Sequence, residues 1–223
     1  MTKILIPSAG ADDWQRFLAK PDLQWKCGYS ARALAHCWEA TNGIPHEVAE
    51  IMAGGFGEPE LLFAVPEHKT SLPGGTRESQ SDILALVRHE AGLATYTIEG
   101  KVEEAFGDTV ADWSRKPSDG KIERLSYLCA TLGIGDCPPG VRYQLLHRTA
   151  SALIEAERFN ASMAGMIVHS FSPARRWLDD FQSFVALLGG GDIAPGQSVV
   201  IDTPSGRPLL LGWACGQERF LTA

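Results

Sequence analysis

The sequence predicts a mixed α/β fold (α+β mixed), in which a central mixed sheet containing a β-meander is flanked by helices. Three observations support this class. Helical periodicity precedes three β-prone segments between residues 61 and 101, a long amphipathic helix is predicted at 141–159, and a compact apolar segment follows at 165–169. Helices that both precede and follow a run of strands favour one layered domain.

The whole chain fits one domain. It has 223 residues, and its 44% hydrophobic and 21% charged content is ordinary for a soluble globular protein. We expect a single domain over residues 1–223, with a core at roughly 30–170 and a C-terminal helix and short β extension at 171–223. No apolar run reaches the ~18 residues that span a bilayer, so no membrane partner is predicted. The first residues, MTKILIPSAGADDW, lack the pattern of a secretory signal.

Charge and cysteine content narrow the partners and the compartment. The net charge of −7 argues against a generally basic nucleic-acid-binding surface, although it leaves a local basic groove open. The cysteines are odd in number and form no CxxC pair, which favours a reducing compartment and predicts a cytoplasmic protein. They are Cys27, Cys37, Cys129, Cys137 and Cys215.

The first elements are helical. Residues 3–6 form a short β-like stretch before a proline. A helix is predicted at 30–40 from its apolar stripe, with Ser30 as the N-cap, and a second helix at 46–52 is expected to stop at two glycines. An apolar strand at 61–65 is then expected to end at the proline that follows it.

The next segment is a hairpin that carries acids at both of its open ends. If its loop is symmetric about the Glu90–Ala91 bond, opposed positions sum to 181, so Asp82 lies across from Glu99. Because side chains alternate along a strand, Lys101 shares a face with Glu99. Two carboxylates and a lysine on one sheet face suit a divalent-metal site, and a one-residue register slip would separate them.

The remaining elements alternate between helix and strand. Helices are predicted at 121–132, 141–159 and 175–188, and strands at 165–169, 198–202 and 209–214. The last two strands either extend the sheet or form a dimer surface, so a homodimer stays open. On the long helix, polar residues recur at i, i+3, i+4 and i+7: Gln144, His147, Arg148 and Ser151.

This order of elements and acids resembles the PD-(D/E)XK nuclease superfamily, the restriction-endonuclease-like fold, over roughly residues 30–170. The family core is a helix, three meandering strands, a helix and a strand. One acid lies near the second strand and a (D/E)XK tripeptide on the third. Asp82 matches the first acid, and Glu99 and Lys101 match the tripeptide. Ser81 stands where many relatives have a proline.

The resemblance implies a metal-dependent nuclease that hydrolyses phosphodiester bonds of DNA or RNA. Asp82, Glu99 and the Gly100 carbonyl would hold Mg²⁺ (or Mn²⁺), a hard cation that prefers oxygen ligands. The catalytic residues would be Asp82, Glu99 and Lys101, with the lysine orienting the attacking water or neutralising developing charge.

Further residues are candidates for supporting the metal or contacting the substrate. Glu39 lies on the helix before the sheet, where relatives often carry another acid. Glu67 ends the first strand and is itself followed by X-Lys, which makes it a rival tripeptide. Arg148 is a candidate phosphate ligand and Gln144 a candidate contact for a nucleotide or water. Glu104 is expected to be solvated.

Three other interpretations remain open. In the first, the chain is a catalytically inactive nuclease-fold protein with a binding or regulatory role. The acidic net charge favours this interpretation. Alternatively it is a papain-like cysteine hydrolase, with Cys27 leading into a helix N-terminus and His169 as its base. A zinc site from Cys129, Cys137 and His147 lacks paired ligand spacing.

Overall fold

The computed structural model describes residues 9–223, so the β-like stretch predicted at 3–6 lies outside the described residues. Within that range the chain forms seven α-helices, six strands and two short 3₁₀ helices. The helices are α1 (Pro21–Gln24), α2 (Ser30–Thr41), α3 (His46–Phe56), α4 (Val110–Ser114), α5 (Asp119–Leu132), α6 (Tyr143–Arg158) and α7 (Leu178–Leu187). The strands are β1 (Glu60–Thr70), β2 (Ser79–His89), β3 (Gly92–Lys101), β4 (Met163–Ser170), β5 (Ser198–Ile201) and β6 (Leu209–Cys215). The 3₁₀ helices cover Ala11–Phe17 and Glu218–Leu221.

All six strands join one mixed sheet in the order β1-β2-β3-β4-β6-β5. The first three form an antiparallel meander, β3, β4 and β6 run parallel, and β5 is an antiparallel edge. The predicted mixed α/β class is therefore confirmed. The C-terminal strands extend the sheet, because β6 pairs with β4 along its whole length.

The hairpin has the predicted register. Ile83 pairs with Ile98 and His89 with Gly92, so opposed positions sum to 181. If this register is continued by one residue, Asp82 lies opposite Glu99, as predicted. The observed strands are longer than the apolar runs suggested, since each continues into polar residues at the end where the acids lie.

Strand β1 continues past Pro66, where the sequence predicted its end. Pro66 pairs with Ile83, and His68 pairs with Ser81. A proline is tolerated here because β1 is an edge strand, whose outer backbone groups need no sheet partner. Extending β1 brings Glu67 level with Asp82, and Glu67 adopts a left-handed backbone with φ of 52°.

Helices cover both faces of the sheet. One apolar cluster packs α2 and α3 against one face, and a second cluster packs α6 against the other. The hydroxyls of Thr95 and Thr97 on β3 donate to the backbone carbonyls of Ala152 and Arg148, at 2.7 and 3.0 Å. Because side chains alternate along a strand, the residues at 99 and 101 also face α6.

Several helix ends differ from the predicted ones for local reasons. Helix α3 continues through Gly54 and Gly55 to Phe56. A Cβ at Gly55 would lie 2.3 Å from Leu210, so this glycine permits close packing of α3 on β6. Ser30 is the first helical residue of α2 instead of its N-cap. Helix α7 begins later than predicted, at Leu178, after a left-handed residue. No helix within residues 9–223 has the length and apolar character to cross a membrane.

Candidate active site

A cavity of about 570 Å³ opens between the meander and α6. Its walls come from the ends of β1, β2 and β3, from the first two turns of α6, and from the loops after β1 and β3. The residues that carry charge or hydrogen-bonding capacity into it include Glu67, Asp82, Glu99, Lys101, Glu104, Arg77, Arg124, Tyr143, Gln144, His147 and Arg148. The cavity therefore collects the residues that the sequence picked from three separate segments.

Three carboxylates stand side by side on three neighbouring strands. The register of β1 and β2 sets Glu67 beside Asp82, and the register of β2 and β3 sets Asp82 beside Glu99. All three line the cavity. The sequence predicted the Asp82–Glu99 neighbours, and the structure adds the third acid to the same row.

Glu99 is buried and tightly paired. Its Oε1 accepts hydrogen bonds from Lys101 Nζ at 2.7 Å and from Gln144 Nε2 at 2.6 Å, and its Oε2 accepts from Arg148 Nε at 2.7 Å. Burial by itself would raise the pKa of Glu99, but the positive charges of Lys101 and Arg148 outweigh it and lower that pKa. Glu99 is therefore ionised, and its charge is shared between a strand residue and a helix residue.

Asp82 and Glu67 have the opposite electrostatic setting. Burial and then the charge of Glu99 raise the pKa of Asp82 to about 7. Burial and then the charge of Asp82 raise the pKa of Glu67 to about 9. Among the described residues neither forms an ion pair: Asp82 Oδ2 accepts from the Gly100 N–H at 2.7 Å, and Glu67 Oε2 accepts from Gln80 Nε2 at 2.7 Å.

These two raised pKa values describe a site with excess negative charge. Adjacent carboxylates repel each other when both ionise, so at least one keeps its proton unless a cation lies between them. A hard divalent cation with oxygen ligands would remove that repulsion. The donor set of Asp82, Glu67 and Glu99 therefore fits Mg²⁺ or Mn²⁺.

A second layer of polar contacts fixes Arg148. Its Nη1 donates to Ser79 Oγ at 3.2 Å, while its Nε is held by Glu99. Ser79 Oγ also lies 2.8 Å from Nδ1 of His147. Burial, followed by the charges of Arg148 and other cations around the cavity, lowers the pKa of His147 well below its usual range, so the ring is neutral.

Lys101 is the buried cation on the strand itself. Its side chain is 5% exposed, and its Nζ forms an ion pair with Glu99. The same Nζ lies 5.0 Å from the centre of the Phe106 ring. Contact with an aromatic face stabilises an ammonium group that has little water around it. The ion pair and the aromatic contact therefore position the lysine beside the row of acids.

The predicted supporting residues divide into two groups. Glu67, Gln144 and Arg148 all line the cavity. Glu39 does not: its Oε1 accepts from Trp14 Nε1 at 2.7 Å, and it lines a separate shallow depression. Its placement at the site was wrong because it projects from the far part of α2. The N–H of Gly100 donates a hydrogen bond to Asp82, and a metal-binding role for the Gly100 carbonyl stays a prediction.

Sequence reasoning missed one residue that lines the cavity, Gln80, and misplaced another, Glu104. Gln80 has the same strand parity as Asp82, which was an available signal. Glu104 was expected in solvent, yet its Oε1 accepts from the N–H and hydroxyl of Ser30, so it caps α2. Arg124 donates to the carbonyls of Leu72 and other loop residues, and so holds the loop after β1 against α5. Such long-range contacts leave no local pattern.

The residues of the papain-like interpretation have separate partners. The thiol of Cys27 is exposed and donates to the carbonyl of Leu221 at 3.0 Å. His169 is buried on the α2–α3 face of the sheet, where its Nε2 lies 3.0 Å from Glu47 Oε1. Helix α2 begins at Ser30, three residues after the cysteine. The cysteine–histidine pair required for that chemistry is not formed.

Comparison with known proteins places the chain in one family. Residues 7–218 match the family described as Domain of unknown function (DUF6946), which covers most of the chain, and the chain belongs to it. Comparisons with curated proteins and with solved structures found no match. The chemistry of the cavity is therefore the basis on which a function is inferred.

Proposed function

We propose that this protein is a divalent-metal-dependent nuclease of the PD-(D/E)XK superfamily. One observation carries the proposal: a row of three carboxylates on adjacent strands shares a cavity with a buried lysine on the same strand face as Glu99. The order of elements supports it, since a helix precedes the three-strand meander that carries the acids, and α6 and β4 follow the meander.

The residues present fit a bound Mg²⁺ or Mn²⁺ through Asp82, Glu67 and Glu99. When bound, the cation would activate a water and neutralise charge on a phosphate. Lys101 supplies a fixed positive charge beside the acids, where negative charge would develop on the phosphate. Arg148 is held from two sides, by Glu99 and Ser79, and so presents its guanidinium group in one position.

The cations around the cavity support an anionic substrate. Lys101, Arg77, Arg124 and Arg148 line it although the whole chain carries a net charge of −7. Together with a cation held by the row of acids, these side chains would concentrate attraction for a phosphate at one place. DNA or RNA is the proposed partner on this ground. A cytoplasmic location is proposed from the five unpaired cysteines.

A second function is favoured by the state of Glu99. Both of its oxygens already accept hydrogen bonds, from Lys101, Gln144 and Arg148. A carboxylate saturated in this way needs no metal to be stable. The corresponding proposal is a nuclease-fold protein that binds nucleic acid through the same pocket without cleaving it.

One experiment separates the two proposals. The chelator-treated full chain is incubated with single- and double-stranded DNA and RNA, with and without Mg²⁺ or Mn²⁺. Nuclease function predicts metal-dependent cleavage that Asp82→Asn and Glu99→Gln abolish, whereas Glu90→Gln retains it. Glu90 is an exposed acid at the opposite end of the same hairpin. If the wild type binds nucleic acid without metal and does not cleave it, the result would support the binding function instead. Neither cleavage nor binding would overturn both.

A further inference from the structure

A second cluster of metal-ligand side chains lies on the opposite face of the sheet from the carboxylate cavity. Cys37 comes from α2, Glu47 from the first turn of α3, and His169 from the end of β4. One ligand atom from each residue lies within 4.8 Å of the others. His169 Nε2 is 3.0 Å from Glu47 Oε1, and Cys37 Sγ is 3.8 Å from the same oxygen.

The cluster is set in an apolar environment. Cys37 is 2% exposed, and His169 is fully buried. Cys37 belongs to the apolar cluster that packs α2 and α3 against the sheet. The Glu47 side chain is 14% exposed, so it alone reaches solvent. Buried polar groups of this kind are ordinarily paired or coordinate a metal. Three such groups from three elements converge here.

We propose that Cys37, Glu47 and His169 bind a zinc-class transition metal. Thiolate, imidazole and carboxylate are the ligand types of zinc sites, whereas Mg²⁺ avoids sulfur. Bond lengths of ~2.0–2.3 Å in a tetrahedral site put neighbouring ligand atoms about 3.4–3.6 Å apart. The observed separations of 3.0 and 3.8 Å bracket this spacing. The ligand atoms of Cys37 and His169 lie within 4.8 Å of each other, so these two side chains would move closer together to coordinate one ion.

The metal would connect the helical layer to the sheet. Binding releases the thiol proton of Cys37, and the fourth position, beside the partly exposed Glu47, is available to water. His169 pairs in the sheet with Gly100, which lies between Glu99 and Lys101. The site would therefore hold α2 and α3 against the strand end whose other face carries the carboxylate cavity. This proposal does not depend on the nuclease function.

Cobalt(II) is a suitable probe, because a thiolate ligand gives it a charge-transfer band in the near ultraviolet. The carboxylate cavity has no cysteine among its lining residues, so cobalt bound there gives no such band. The chelator-treated full chain is titrated with Co²⁺ and then with Zn²⁺. We expect one cobalt with a thiolate band per chain, displaced by one zinc. Absence of the band at saturating cobalt would overturn the proposal.

Variants assign the band to the cluster. Cys37→Ser is expected to remove it and to weaken zinc binding by at least about 100-fold, beyond the loss typical of an outer partner. Cys27→Ser and Cys129→Ser are matched controls that retain the band. If either control removes it, or Cys37→Ser leaves it unchanged, the assignment is wrong.

Two further measurements keep the test valid if Cys37→Ser fails to fold. Glu47→Gln changes the partly exposed ligand and is expected to weaken zinc binding at least about 10-fold. X-ray absorption on the zinc-loaded wild type is expected to show a single sulfur neighbour beside nitrogen and oxygen. A zinc environment of nitrogen and oxygen alone, or of two sulfurs, would contradict the proposal.

Discussion

Arg148 Nε lies 2.7 Å from Glu99 Oε2, and both side chains are buried. This ion pair ties α6 to β3 inside the cavity. Because both charges have little water around them, removing one would leave the other poorly solvated. The same pair also occupies an oxygen that a metal would use. Stability and metal binding therefore compete for Glu99.

Arg148→Met is expected to destabilise the metal-free protein by about 3 kcal/mol, near the low end for breaking a buried pair, because Lys101 still neutralises Glu99. It should also bind Mg²⁺ more tightly than the wild type, since a positive charge has left the site. Urea unfolding and calorimetry measure the two effects. The control is Arg158→Met on the same helix, whose side chain is 63% exposed and whose loss should cost less than about 1 kcal/mol. Equal losses for both variants would contradict the prediction.

Lys101→Met keeps the length of the side chain and removes its charge. If the nuclease proposal holds, cleavage should fall by about 10²–10³-fold, the usual effect of deleting one group that stabilises developing charge. Mg²⁺ affinity should be retained or increase, because no ligand is lost. Cleavage rates and calorimetry are measured on the same samples. Lys116→Ala, an exposed lysine, serves as the control. A variant that cleaves like the wild type would remove Lys101 from the mechanism.

The hairpin shows what the sequence could predict. Its register follows from a symmetric loop and from alternation along the strands, both local properties, and these sufficed to set Asp82 beside Glu99. Glu67 was only a rival candidate, because the sequence ended its strand at Pro66. Whether a proline ends a strand depends on its being at a sheet edge, and this is a property of the assembled sheet.

The Cys37, Glu47 and His169 cluster marks the limit of such prediction. These residues are far apart in the chain and come from two helices and a strand, so no spacing signal joins them. Glu39 failed for a related reason. Its helix was predicted correctly, but only the first turn of α2 lines the cavity, and packing against the sheet decides which end of the helix lies there.

Glu67 has a backbone φ of 52°, in the left-handed region that disfavours residues with a Cβ. Holding a residue with a Cβ in this conformation costs about 1–2 kcal/mol. Glycine avoids this cost but loses more backbone entropy on folding, which offsets part of the gain. Glu67→Gly is therefore expected to be about 1 kcal/mol more stable than Glu67→Gln in urea unfolding. Both variants should bind Mg²⁺ more weakly than the wild type. If Glu67→Gln is the more stable of the two, the backbone at this position carries no strain.

The pH dependence of stability follows from the raised pKa values of Asp82 and Glu67, about 7 and about 9. Between the ordinary carboxyl pKa near 4 and these values, the folded protein holds protons that the unfolded chain has released. Stability of the metal-free protein should therefore fall as pH rises through this window, by at most about 1.4 kcal/mol per pH unit for each proton.

Mg²⁺ should reverse this trend, because it replaces the protons that the two acids retain. The two acids hold fewer protons at pH 9 than at pH 6, so Mg²⁺ displaces fewer protons and binds more tightly at pH 9. Saturating Mg²⁺ should therefore raise the melting temperature more at pH 9. Calorimetry in buffers of different ionisation enthalpy should detect proton release on binding at pH 6. The double variant Asp82→Asn with Glu67→Gln should show neither the pH trend nor the metal effect, whereas Glu90→Gln should show both. A magnesium effect that is equal at the two pH values would mean that the ion binds without displacing these protons, and hence away from the row of three carboxylates.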